Sequence, residues 1–513
     1  MQEAAAALLQ GRFDKAVTAY DEALKEGTLV PARQAAVYTD RGVAKWRLRQ
    51  LDEAQADFTK AISLNADYAA AYNNRGILLL ERGDAEGAVR DFDKAIALSP
   101  QFGPALSNRG NAHLRLNRAG NAEADFRKAM DLLPSHPVPF NGRALVAQNG
   151  NRPFLAVRYL NRAVGLNAQY TPAYVNRATA LLALQKNDDA IQDLDRLIGL
   201  NANDVSLYVK RGEAHAREKR LVFAFRDYGK ALELDPQNLD ALIGRAGQNL
   251  ERRRPDLALE DVKQALALDP NRARAYFVRG QARLQSNDAA GMEDLDKAIE
   301  LSPEMTEAYR ARSVAREKAG QKEAALSDAR KALELDPVAK ENRDLYRTVA
   351  GQPAETVLKP LSSNAGWDIY ALAGGRFVAV SDKFPKLQVP LEMAAAGTPT
   401  IIEWTPLKDA LAGLGLMRFQ AGEKAGAAFE YVAIVDLFRN QVISEEPYVV
   451  GSQKAVWTWT GTSVSITDPE GLTSVYELRK PRPVETVRRR DDDFDLFGGR
   501  RGGGGGLFGW LFR

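Results

Sequence analysis

Counted in windows of 34 residues, the first two thirds of this 513-residue chain return the same ionisable side chains at the same places. An arginine stands at the seventh position: Arg41, Arg75, Arg109, Arg143, Arg177, Arg211, Arg245, Arg279 and Arg312. Such a column could bind an acidic ligand. An aspartate stands at the twenty-third: Asp57, Asp91, Asp125, Asp193, Asp227, Asp261, Asp294 and Asp328. Opposite charges repeating with one period predict an ion pair inside each window instead. Exposed pairs of this kind add little net stability. Tyr159 replaces the aspartate in one window, so Arg143 is expected to be the arginine left over for a ligand.

A second column is polar at the sixth position: Asp40, Asn74, Asn108, Asn176 and Lys210. A side-chain amide offers both a donor and an acceptor, which suits it to extended peptide backbone. If the eighth position faces a partner helix, the sixth lies ~200° round and points off the hairpin. The plainer reading is a solvated face. The column breaks at Gly142 and again at Gly244, Val278 and Ala311.

Other chemistry is scarce. The chain has no cysteine, which removes disulfides, thiolate zinc sites and thiol catalysis. His113, His136 and His215 are scattered singly and read as packing or surface residues. Beyond Gly351 there is no histidine, so no Ser-His-Asp triad, Cys-His pair or His-ligated metal is expected there. Asp368, Glu392, Glu403 and Asp436 leave a two-carboxylate hydrolase open, with no spacing that singles out a pair. Gly502–Gly506 is not a phosphate loop, because no Gly-Lys-Ser/Thr follows it. A net charge of +3 from 70 basic and 67 acidic residues argues against a dedicated nucleic-acid binder. No run approaches the ~20 apolar residues of a membrane span.

The elements that must position these columns are helical hairpins. Ala69 to Phe102 is one unit, with fixed points Tyr72, Arg75, Gly76, Gly83, Ala88, Phe92, Ala95 and Pro100. Apolar residues recur at helical spacing in two runs, separated by a Gly or Asn turn. Small residues at the eighth, twentieth and twenty-seventh positions let helices approach, and aromatics fill the gaps. Pro stops the second helix. The same classes return at Gly42, Ala54, Phe58 and Ala61, and at Gly110, Ala122, Phe126, Ala129 and Pro134.

This unit resembles the tetratricopeptide repeat (TPR). Ten repeats are expected over residues 1–338, starting near Met1, Ala35, Ala69, Gly103, Pro137, Thr171, Val205, Leu239, Ala273 and Thr306. Repeats five and six diverge: Ala144 and Ala178 replace the Gly, and Leu160 and Leu194 the aromatic. A capping helix over residues 339–351 should cover the apolar face of repeat ten, giving about 21 helices in an all-α superhelix. The resemblance places the sixth position in the concave groove. It also resembles the asparagine ladder of O-GlcNAc transferase repeats over repeats three to six, which implies backbone binding there. The doubly wound catalytic domains of that family have no counterpart here.

After Gly351 the periodicity changes. Five of the six tryptophans lie beyond it. Short β-rich runs predict a smaller, mostly antiparallel β-domain over residues 362–480, sandwich or barrel. Gly374–Gly375 and Asp468–Gly471 are turn signals. Pro406–Leu416 reads as a short helix. From Pro481 onward, Arg488–Arg490, Asp491–Asp493, five glycines and a Leu507–Arg513 end of aromatic character predict a disordered tail. That end is a candidate motif for a further partner.

Together these features predict a non-enzymatic scaffold. An extended peptide or partner protein would lie in the groove against Asp40, Asn74, Asn108, Arg143, Asn176 and Lys210, with no catalytic residue, no metal and no cofactor. The competing expectation is a TPR-recruited enzyme or glycan-binding protein whose site lies in the β-domain. No signal peptide is visible, which reads as cytoplasmic. The register of Gly11, Ala16, Tyr20 and Ala23 begins inside a helix, so a trimmed start would read as periplasmic or secreted.

Overall fold

The computed structural model describes residues 2–477, apart from positions 385–386, 394–395, 408–412, 425–426, 438–439, 451–452, 455, 460–462, 468–470 and 472. The expected tail, including its aromatic end, lies outside the described residues. Helices α1 (Gln2–Leu9) to α21 (Lys340–Ala350) run in order as antiparallel pairs, each packed on the next. Each repeat contributes a first and a second helix; in repeat five these are α9 (Pro137–Asn149) and α10 (Pro153–Leu166). Among the described residues no helix is long and apolar enough to cross a membrane.

The pairing is set by one size relationship. A Cβ on Gly42, Gly76 or Gly110 would lie 2.7, 2.7 or 2.8 Å from the ring of Phe58, Phe92 or Phe126 in the second helix of the same repeat. Where the small residue is larger, its partner is smaller. Ala144 stands with Leu160, Ala178 with Leu194, Ala246 with Val262, and Ser313 with Ala329; all eight are buried. The two positions therefore change size in opposite directions while both stay buried.

The turn inside each hairpin needs one left-handed residue. It falls at the fifteenth position: Arg49, Gly83, Asn117, Asn151, Gln185, Lys219, Arg253, Asn287 and Gly320 all have positive φ. Only two of these are glycine, so most turns hold a side chain in a conformation costing roughly 1–2 kcal/mol.

In α21 the fully buried Asn342 and Tyr346 face repeat ten. The Asn342 amide donates to the carbonyls of Ala332 (2.9 Å) and Asp336 (2.7 Å), and Tyr346 joins Ala329 and Leu333 in one cluster. Gly351, with φ 69°, ends the helix.

The strands that follow are antiparallel throughout. One sheet is β1 (Ser362–Asn364), β2 (Trp367–Leu372), β3 (Arg376–Val380) and β4 (Gln388–Leu391). A second is β5 (Thr400–Pro406), β6 (Leu414–Lys424), β7 (Ala427–Asp436), β8 (Gln441–Val450) and β9 (Gln453–Lys454). A third is β10 (Val456–Trp459), β11 (Ser463–Thr467) and β12 (Thr473–Glu477). The first two share one core, with Trp367, Ile369, Val389 and Leu391 on one side and Met417, Phe419, Tyr431 and Val435 on the other. Their edges meet where β1 touches β5 and β4 touches β8. This is a sandwich. The helix expected at Pro406–Leu416 is corrected in its described part. Pro406 ends β5, and Leu414–Leu416 begin β6, where Gly415, Met417, Phe419 and Ala421 are buried in alternation.

Candidate functional site: the seams between repeats

The arginine column is consumed by ion pairs. Arg75 Nε and Nη2 donate to Asp91 at 2.7 and 2.8 Å. Arg109 does so to Asp125 at 2.8 and 2.5 Å, and Arg211 to Asp227 at 2.8 and 2.6 Å. Every aspartate of the column is at most 7% exposed. Two-toothed hydrogen bonding holds the Arg75, Arg109 and Arg211 guanidinium groups above their usual range, against desolvation.

The eleventh position supplies a second partner to several of these aspartates. Lys45 reaches Asp57 (2.9 Å), Arg283 reaches Asp294 (2.8 Å) and Arg316 reaches Asp328 (2.9 Å). His113 and His215 occupy the same position, 3.8 Å from Asp125 and Asp227. Burial lowers the pKa of both imidazoles.

The third guanidinium nitrogen crosses to the preceding repeat. Arg109 Nη1 reaches Asp93 (2.6 Å), Arg211 Nη1 reaches Asp195 (2.7 Å) and Arg312 Nη1 reaches Asp296 (2.6 Å). Thr59 and Asn161 take that place for Arg75 and Arg177. The column is therefore a row of stitches between repeats.

Arg143 departs from its expectation. It is 5% exposed, pairs with Glu123 of the preceding repeat, and lies over the Tyr159 ring at 4.5 Å. Tyr159, which stands where the aspartate would be, supplies a π face, and Glu123 supplies the countercharge.

The polar column at the sixth position also lies on the seams. Asn108 Nδ2 donates to Asn73 Oδ1 at 2.9 Å, and Asn73 Nδ2 donates to Asn74 Oδ1 at 3.2 Å. Asn74 and Asn108 are thus joined through Asn73, a residue outside the column that the sequence singled out. Asn176 repeats the arrangement by donating to Asn141 Oδ1 at 2.8 Å. The pairs are 35 residues apart, sixth position to fifth. The signal was in the sequence: Asn73 precedes Asn74, and Asn141 precedes the Gly142 gap.

Asp40 accepts from Tyr20 Oη at 3.3 Å, and burial raises its carboxyl pKa. Lys210 Nζ lies 3.5 Å from Thr179 Oγ1. Asp40, Asn74, Asn108, Asn176 and Lys210 are all half-buried. Two of the breaks have a steric cause. A Cβ on Gly142 would lie 2.2 Å from the Phe126 ring, and one on Gly244 would lie 2.4 Å from Tyr228. At those seams the aromatic of the preceding repeat fills the space.

A second polar cluster joins the β-domain to repeat five. No side chain of the N-cap residue Arg152 serves the start of α10. Glu392 serves it instead, accepting from Phe154 N–H and, at 3.4 Å, from Leu155 N–H. A carboxylate there satisfies two orphan donors and meets the positive end of the helix dipole. Glu445 accepts from Glu392 N–H at 3.0 Å.

Glu392 and Glu445 are 7% and 1% exposed, and burial pushes both carboxyls well above the usual range. Phe154 enters the core of the sandwich, and Lys186 of repeat six donates to Ile443 O at 2.5 Å. At the far end Val338 packs with Tyr370 and Val378, and Gln388 Nε2 donates to Val338 O at 3.0 Å. The sandwich therefore touches repeats five and six and also the end of repeat ten. Of the carboxylates read in the sequence, Glu392 alone is placed here; Asp368 accepts from Ser363, and Glu403 is exposed.

Stacked helix pairs, held by small residues and stitched at many of their seams, define an α-solenoid of the kind that binds other proteins. Family models described as "Tetratricopeptide repeat" match residues 39–102, 175–238 and 249–291, and one of the same description matches 103–136. The chain carries tetratricopeptide repeats over these residues.

Similar solved structures include the APC/C hetero-tetramer Cut9–Hcn1, at 15% identity over 66% of this chain and 83% of that one, TM-score 0.43. A tetratricopeptide repeat protein from Parabacteroides merdae aligns at 21% identity over 48% and 96%, TM-score 0.39. Yeast Tom70 aligns at 16% over 68% and 87%, TM-score 0.35. No curated protein matches.

Proposed function

We propose that this protein is a non-enzymatic scaffold that holds an extended peptide or a partner's extended segment along the first helices of repeats two to seven. The observation that carries this reading is the pairing of seam amides, Asn108 with Asn73 and Asn176 with Asn141. Each pair uses one donor of the sixth-position amide and leaves its oxygen and second N–H for a ligand. Amides already held in place lose less freedom when a ligand arrives. Asp40 and Lys210 flank the row and add one charge of each sign. Arg143 belongs beneath this surface and supports it through Glu123 and Tyr159.

The competing enzyme reading draws on the Glu392–Glu445 pair. Its two carboxylates are spent on a helix cap and a backbone N–H, which favours the scaffold. The experiment is a peptide array probed with the full chain and with N74A/N108A/N176A, using circular dichroism as the folding control. The scaffold reading expects the variant to fold and its signals to fall across the bound peptides. Unchanged signals from a folded variant would remove the amide row from the site.

A further inference from the structure

The edge of the solenoid that carries the β-domain continues, uncovered, onto repeat seven. Phe154 stands at the eighteenth position of repeat five, is 4% exposed, and is buried in the sandwich core. Lys186, at the sixteenth position of repeat six, holds Ile443 O. The next edge along is the start of α14 (Leu221–Leu234). There Val222 holds the position of Phe154 but is 71% exposed, and Phe223 beside it is 52% exposed.

Basic groups surround this apolar pair. Arg226 lies over the Phe223 ring at 6.0 Å, and Arg252 over the half-buried Phe225 at 4.7 Å. Lys219 precedes the helix and is exposed. Among the described residues none of these three cations is in an ion pair. Glu218 and Glu251 are their neighbours in sequence, so the patch keeps a positive excess. Exposed aromatics stacked with arginine make the composition of a binding hot spot.

We propose that the segment Asp491–Phe497 of the same chain docks on this edge of repeat seven. Three features select it as the occupant. The patch is continuous with an interface that the β-domain already makes. The charges are complementary: Asp491, Asp492, Asp493 and Asp495 meet Lys219, Arg226 and Arg252. The apolar residues Phe494, Leu496 and Phe497 are interleaved with those aspartates and meet Val222, Phe223 and Phe225. Thirteen residues, 478–490, separate the end of β12 from Asp491. Extended, they span up to about 45 Å.

The test uses the full chain with Phe494 replaced by p-benzoylphenylalanine, irradiated and mapped by mass spectrometry. The expected result is an intramolecular adduct on residues 219–226 or on Arg252. V222D/F223D should cut its yield on the order of tenfold, as for loss of hot-spot anchors. D491N/D492N/D493N/D495N, which leaves the repeats untouched, should cut it too. Adducts confined to the β-domain, or a yield indifferent to V222D/F223D, would overturn the proposal. Adducts found only in covalent dimers would overturn it in favour of a second copy as the occupant.

Discussion

Arg211 Nη1 and Asp195 Oδ1 lie 2.7 Å apart across the boundary between repeats six and seven, while the same guanidinium holds Asp227 inside its own hairpin. One side chain thus fixes both the fold of a repeat and its stacking on the one before. The aspartates differ in burial: the Asp195 side chain is 56% exposed and that of Asp227 is 4% exposed. D195A should therefore cost roughly 1 kcal/mol or less. D227A strands a half-buried guanidinium and should cost about 3 kcal/mol or more. Urea midpoints followed by circular dichroism check the order. Equal losses would contradict the division between stitch and core pair.

The pairing of Gly76 with Phe92 makes a second prediction. Alanine at 76 puts a Cβ 2.7 Å from the ring, so G76A should cost ~1–3 kcal/mol by overpacking. F92L on the wild-type background should open a gap. The double variant recreates the Ala144–Leu160 pairing of repeat five, so it should be more stable than the sum of the singles by about 1 kcal/mol. A double-mutant cycle in urea measures this coupling. Additivity would contradict the size relationship.

A pH dependence follows from Glu392 and Glu445. Burial raises Glu392 to about 8, while its two N–H donors and the charges of Arg152 and Arg158 oppose that rise, so of the two carboxyls it ionises first. Glu445 has one N–H donor and the Glu392 charge beside it, so it holds the proton. A carboxyl whose folded pKa is raised gives stability that is full below the unfolded pKa. That stability is lost as pH rises through the folded value. The wild type should thus lose stability, read as melting temperature, relative to E445Q as pH rises above the ordinary carboxyl range. The loss should be at most ~1.4 kcal/mol for each pH step of one. Burial pushes Lys186 down to about 8, and its effect runs the other way. It is common to both proteins and cancels in the difference. Parallel curves would contradict a protonated Glu445.

The repeats were legible because one size rule and one charge rule recur every 34 residues, and a period is visible without coordinates. Even the divergent repeats gave themselves away, since Ala144 and Leu160 change together. The seam amides were half legible. The sixth position stood out as a column, but its partner at the fifth is only two asparagines, Asn73 and Asn141. Arg143 misled because a missing aspartate was read as a missing partner, while Glu123 pairs with it from the preceding repeat. The β6 strand was hidden by glycines. Gly415 is small because the Trp404 ring covers it, where a Cβ would lie 2.2 Å from the ring. The junction of Phe154 with Glu392 spans 238 residues and has no period, so nothing local announced it.

The central claim is that the seam amides hold a ligand, and calorimetric titration tests it most directly. The tightest peptide from the array is titrated into the full chain and into N74A/N108A/N176A at equal ionic strength. Each lost hydrogen bond should cost ~0.5–1.5 kcal/mol net. Together the three losses should weaken binding on the order of 10- to 2000-fold, with the helical signal unchanged. A folded triple variant that binds the peptide with the wild-type Kd would contradict the account.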